Sequence, residues 1–155
     1  MISRLQTDRF EQRTPISLHM KNGVLYCQLQ VDVARDDGLR GGFYCEHSKI
    51  DINSSFCEIG NFIFEVLRRF HELGDMPYSK FLEITGGNKE AYDKKKLDEF
   101  LGFIGAKTSK DVYLKYESCS ISYELKTELY DFKIRWLTKE GSRYYCDSYD
   151  STGKE

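Results

Sequence analysis

The sequence predicts an α+β domain, an antiparallel β-sheet with about three helices packed mainly on one face. Three observations carry this. The apolar residues between Ser54 and Phe70 recur with the period of a helix. Stretches on either side, from Ile16 to Val33 and from Ser120 to Tyr149, alternate with the period of a strand. The order of segments runs strands, then helices, then strands, so parallel crossovers are not expected. At 155 residues the chain suits one domain, 1–155, burying roughly 70% of its unfolded surface without staples.

Residues 1–14 are polar and are expected to be loosely ordered, as are residues 150–155. Ile16 to Met20 is a short strand. Lys21-Asn22-Gly23 follows, and Asn-Gly between two β-prone runs is a hairpin signal because both residues accept positive φ. The second arm, Val24 to Val33, places Leu25, Cys27, Leu29 and Val31 toward the core and Val24, Tyr26, Gln28 and Gln30 on the other face. Arg35 to Gly42 is a turn with three glycines. It is no phosphate cradle, because it lacks Gly-Lys-Ser/Thr and GxGxxG and no helix follows directly. Phe43, Cys45 and Ile50 belong to a third strand.

The central helix carries Phe56, Ile59, Ile63, Val66, Leu67 and Phe70 as a broad inward stripe. Ser55 and Glu58 have the spacing of a capping box, and Gly74 with Pro77 marks the stop. A short element, Tyr78 to Ile84, ends at Gly86-Gly87. Asn88 caps a second helix, Lys89 to Ile104, with Tyr92, Leu97, Phe100, Leu101 and Ile104 inward. Its Lys94-Lys95-Lys96 run is interleaved with Asp93, Asp98 and Glu99 and reads as a solvated face. After Gly105, Thr108 or Ser109 caps a third helix, Lys110 to Tyr116, with Val112, Leu114 and Tyr116 or their neighbours inward. Ser120 to Leu125 is a strand. Tyr130, Phe132, Ile134 and Trp136 share one face of the next, opposite Asp131, Lys133 and Arg135, and Tyr144 to Tyr149 returns as an edge.

Composition excludes several function classes. The net charge of −2 does not suit bulk nucleic-acid binding. Five widely spaced cysteines make neither a disulfide framework nor a metal knuckle, and are expected to be buried free thiols. No apolar run reaches the ~20 residues of a membrane span, and the N-terminus lacks the apolar segment of a signal peptide, so the cytoplasm is the expected compartment. No metal site, cofactor motif or catalytic residue is expected. Cys45-Glu46-His47 resembles a thiol site on paper, but neighbours on a strand face opposite ways. His71 suits the end of its helix through the dipole. An RNA-binding sheet would interleave aromatics with bases on one face, whereas Lys133 and Arg135 lie opposite the rings. Charge is uneven along the chain: residues 28–65 sum to −4 and 117–155 to −2, against +2 for 66–116.

Two stretches carry a resemblance. Glu58-Ile59-Gly60 followed by Phe64-Glu65-Val66-Leu67 is similar to an E-L-G-x-x-x-x-E-A-L helix, and Gly105-Ala106-Lys107-Thr108-Ser109-Lys110, then Ser118-Cys119-Ser120-Ile121, is similar to a G-x-K-T-K-K…S-C-S-I segment. Both belong to the CdiI-like immunity proteins of contact-dependent growth inhibition systems, and the resemblance spans residues 43–135. It implies a bacterial cytoplasmic protein that neutralises the C-terminal toxin domain, often a nuclease, of a cognate CdiA-type exoprotein by occlusion. Family contact residues vary with the toxin, so none is carried over; Gly60, Gly105, Lys107, Thr108 and Cys119 read as caps, turns and packing.

An acidic, ring-bearing surface is the expected partner-binding feature: Asp32, Asp36, Asp37, Glu46 and Asp51 with Tyr44, and a second patch of Asp131, Asp147, Tyr149 and Asp150. The expected partner is the toxin domain, with no direct nucleic acid and no membrane. The alternatives are a small ligand-binding domain or an enzyme, which needs a pocket with converging polar groups, and an RNA-binding sheet.

Overall fold

The computed structural model describes residues 12–37, 39–74, 76–140 and 143–153, with side chains described through residue 132 except those of residues 12, 40 and 113. Strands β1 (Gln12–Lys21), β2 (Val24–Ala34) and β3 (Arg40–Asp51) lead into helix α1 (Phe56–Leu73). A two-residue strand β4 (Met76–Pro77) precedes α2 (Tyr78–Thr85), α3 (Lys89–Ile104) and α4 (Ser109–Lys115). Strands β5 (Glu117–Glu124), β6 (Leu129–Glu140) and β7 (Arg143–Gly153) close the order. The sheet runs β3-β2-β1-β5-β6-β7 with every neighbour antiparallel, and β4 adds a short parallel pairing to β2. The α+β class with an antiparallel sheet therefore stands.

Local chemistry explains the elements. Asn22 (φ +52°) and Gly23 (φ +75°) take the left-handed conformation that a two-residue hairpin needs, and Lys21 pairs with Val24. The Glu58 carboxylate accepts from the Ser55 amide at 2.8 Å while Ser55 Oγ accepts from the Glu58 amide at 3.2 Å, so the capping box forms. Asn88 caps α3 by accepting from the Ala91 amide, and Thr108 shares a second capping box with Asp111. Gly105 ends α3 at φ +74°. The β1–β5 register shifts between Arg13 and Ile16, where buried Pro15 has no N–H to give to the ladder.

The helices divide between the two sheet faces, where the sequence placed them mainly on one. On the first face, Leu67 of α1 packs with Ile16, Leu18, Leu25, Cys27, Ile121 and Tyr130, and Ile59, Phe62, Ile63 and Val66 pack against that cluster. The same layer continues through Phe70, Met76 and Phe81 over Leu29, Val31 and Val33. On the second face, Phe100 and Ile104 of α3 and Val112 of α4 pack with Tyr116, and Tyr26 of β2 joins them. His19 of β1 lies 5.5 Å from the Phe100 ring between centroids.

Some expectations are corrected. Phe56 is 96% exposed rather than inward, because the inward stripe begins only at Ile59. Leu114 is also exposed, since the inner face of α4 is filled by Val112, whereas Leu97, though 45% exposed, faces the space between α3 and the sheet. Gln12–Thr14 and Asp150–Gly153, expected to be loose, lie in β1 and β7. Residues 1–11 and 154–155 lie outside the described residues. Cys57 is exposed, Cys45 and Cys119 are half-buried, and Cys27 alone among the described cysteines is buried.

Candidate functional site

The first expected acidic patch does not assemble. Asp32 is buried on the second face, with its carboxylate 3.9 Å from Arg13 Nε, so it is not a contact residue. Its partner lies on β1, which composition cannot reveal. Asp36 and Asp37 are exposed in the β2–β3 turn, where Asp37 pairs with Arg35 at 2.7 Å and accepts from the Leu39 amide. Asp51 is exposed at the other end of β3, accepting from the Asn53 amide at 2.8 Å. A 12-residue strand separates those ends by roughly 37 Å. Between them, Tyr44 Oη donates to Glu46 Oε1 at 2.9 Å and Arg69 of α1 donates to the same oxygen at 2.9 Å. Arg69 and Tyr44 hold the Glu46 carboxyl below the usual carboxylate range, and its charge is matched by the guanidinium. In the second patch, Asp131 is half-buried on β6 opposite Ser122. Asp147, Tyr149 and Asp150 lie on β7 opposite Trp136, Ile134 and Lys133, and their side chains fall outside the described ones.

One exposed ridge of α1 is apolar instead. Phe56, Gly60 and Phe64 stand four residues apart and form one ridge of the helix, about 12 Å long. Phe56 is 96% and Phe64 52% exposed, and a Cβ added at Gly60 would meet nothing within 4 Å. Cys57 and Asn61 are exposed beside the ridge. Its C-terminal end is charged, with Arg68 paired to Glu65 at 2.6 Å and to Glu72. A mid-helix glycine sacrifices about 1 kcal/mol of helix propensity. No neighbour among the described residues requires it, which corrects its reading as a packing residue.

On the second face, a cavity of about 230 Å³ separates the sheet from α3 and α4. Its floor is polar: Ser17 and His19 of β1, Gln28 and Gln30 of β2, Ser118 and Ser120 of β5. Its roof is hydrocarbon: Leu97 and Phe100 of α3 and Val112 of α4, with Ser109 beside them. His19 Nδ1 lies 2.8 Å from Ser118 Oγ, and Gln30 Nε2 donates to Gln28 Oε1 at 3.1 Å. Gln28 Nε2 is 3.3 Å from His47 Nε2. The Ser120 hydroxyl is buried with no hydrogen-bond partner among the described residues. Burial lowers His19 to a pKa of about 4, so its imidazole is neutral at pH 7.

Neither Cys27 nor Cys45 is set up as a thiolate. Burial pushes Cys27 up to about 12 and Cys45 to about 11, so both stay protonated. Cys45 and His47 share the second face while Glu46 turns to Arg69 on the first, as strand alternation requires. Among the described residues no group of three His, Cys, Asp or Glu is placed to hold a metal ion. No helix of the described residues is long and apolar enough to cross a membrane.

The cavity's polar residues were visible in the sequence only as the outward set of alternating strands. Ser17-x-His19, Gln28-x-Gln30 and Ser118-x-Ser120 each suggest a face toward water. That a second helical layer covers them is decided by the return of α3 and α4 across the sheet. No protein-family model matches the chain, and no curated protein or solved structure matches it.

Proposed function

We propose that this chain is a cytoplasmic immunity protein that binds the toxin domain of a CdiA-type exoprotein and blocks it without chemistry of its own. The observation that carries the reading is the Phe56–Gly60–Phe64 ridge. An exposed pair of aromatic rings flanking a glycine lets another backbone come close while the rings bury on either side. The ridge falls on the helix whose sequence resembles the immunity family. The other resembling stretch forms the α3–α4 turn and part of β5. There Gly105 and Thr108 serve as caps and Ile121 packs in the core. Such positions preserve the scaffold and leave specificity to exposed groups. The mixed charges at the end of the ridge, Glu65, Arg68 and Glu72, supply a polar rim.

Co-expression with the toxin domain encoded beside it tests the reading. Growth is expected to be restored and the two chains to co-purify; continued killing, or failure to co-purify, ends the proposal. The surface is tested separately. Phe56→Ala and Phe64→Ala are each expected to weaken the complex about 30-fold, since an aromatic anchor contributes on the order of 2 kcal/mol. Both rings are exposed, so the unfolding midpoint should barely move. Gly60→Ala alone is expected to raise stability by about 0.5–1 kcal/mol in urea unfolding, because the new methyl fills open space in a helix. Gly60→Trp should fold and fail to bind.

A further inference from the structure

We propose that the cavity between the second sheet face and helices α3 and α4 binds an uncharged polyhydroxylated ring, a free monosaccharide or the ribose of a nucleoside. The proposal is independent of the toxin-binding reading. It rests on a floor of hydroxyls and amides, buried at Ser120 and half-buried at Ser17, Gln28, Gln30 and Ser118, beneath a hydrocarbon roof.

The floor is built by register. Ser17 pairs with Gln28 on one side and Ser120 on the other, and His19 pairs with Ser118. Polar groups therefore stand about 4.8 Å apart across three strands and about 6.8 Å apart along each. Beside it, Tyr26 packs against Phe103 and Tyr116. A buried hydroxyl without a partner is rare in folded proteins, and Ser120 has none among the described residues. The Ser17 hydroxyl and His19 Nε2 also make no hydrogen bond among the described residues, and Gln30 uses only one amide hydrogen.

Chemistry fixes the class of ligand. No carboxylate, ammonium or guanidinium lines the cavity, so a charged ligand would lose its hydration without recompense. Serine hydroxyls both donate and accept, and the Gln30 amide offers one of each. A ligand that satisfies them all needs groups of the same dual kind, and hydroxyls supply it. Leu97, Phe100 and Val112 cover the opposite side with carbon, which suits the C–H face of a sugar ring. The volume, about 230 Å³, is enough for one such ring.

Titration of the labelled protein with D-glucose, D-ribose and uridine, followed by amide and methyl resonances, tests this. Saturable shifts are expected at β1, β2 and β5 and at the methyls of Leu97 and Val112. Shifts with glucose assign a free sugar; shifts with ribose and uridine but not glucose assign the ribose of a nucleoside. Ser120→Val and Gln30→Leu are each expected to weaken that binding about tenfold while leaving the fold intact. Ser120→Val removes a hydroxyl that bonds nothing within the described chain and keeps a strand-forming side chain. Absence of shifts with all three probes, which leaves ordered water as the only occupant, overturns the proposal. So does unchanged affinity in both variants.

Discussion

Replacing Phe81 by alanine is expected to lower the free energy of unfolding by about 3–5 kcal/mol. Domains of this kind are stable by about 5–15 kcal/mol, so the loss is a large share of the total. Phe81 is 1% exposed although it sits on the short helix α2. Its ring meets Tyr92 of α3 edge-on at 5.2 Å and packs with Val33 of β2, Phe70 of α1 and Met76. It also seats against the main chain of β3: a Cβ on Gly42, at φ +144°, would stand 3.2 Å from Phe81 Cζ. One side chain thus ties together the end of the sheet, the end of α1 and the start of α3. Those elements cannot collapse onto alanine without moving one another, so most of the cavity remains. The neighbouring Leu82 is 38% exposed, and Leu82→Ala should shift stability by no more than about 0.5 kcal/mol. Urea unfolding measures both: the Phe81→Ala midpoint should fall sharply at unchanged slope. Equal midpoints for the two variants would show that Phe81 is not the tie described.

The contrast between these two residues shows where sequence reasoning reaches and where it stops. Local signals were legible. The Ser55–Glu58 box, the Asn22-Gly23 turn and the Asn88–Gly105 bounds of α3 each depend on residues a few positions apart, and each forms as its spacing indicates. Strand periodicity likewise separated Leu25, Cys27, Leu29 and Val31 from Gln28 and Gln30. Periodicity assigns a residue to a face, however, and not a cover to that face. Nothing local tells Gln28 and Gln30 that α3 returns over them, or tells Asp32 that Arg13 waits on the adjacent strand system. The acidic patch failed for this reason: acids adjacent in the chain were dispersed to two ends of a hairpin and one interior. Phe56 failed in the opposite sense, because helical phase placed it inward while the packed stripe starts at Ile59.

Acid should destabilise the protein well before its carboxylates titrate, and His19 is the cause. Burial beneath Phe100 lowers its pKa from 6.5 to about 4 in the folded state. The unfolded chain therefore binds a proton that the folded chain refuses between those values. The contribution of a neutral His19 is fully present above pH 6.5 and is lost as pH falls toward 4, reaching about 3 kcal/mol. His47, on the same face against Phe100 and Phe103, is lowered by burial first and by Lys96 second, and acts in the same direction. The carboxylates held below their usual range, Glu46 by Arg69 and Asp111 by Lys115, contribute only in the lower window where they begin to protonate. Urea midpoints of the wild type should thus decline steadily from pH 7 to pH 4.5. His19→Gln keeps a neutral polar side chain beside Ser118 and should flatten most of that decline, whatever its stability at pH 7. His47→Gln should flatten it less, because that ring is half-buried. A wild-type curve level across this range, or one whose slope survives in His19→Gln, would mean that water reaches the imidazole in the folded state and that the polar floor beneath α3 is not closed.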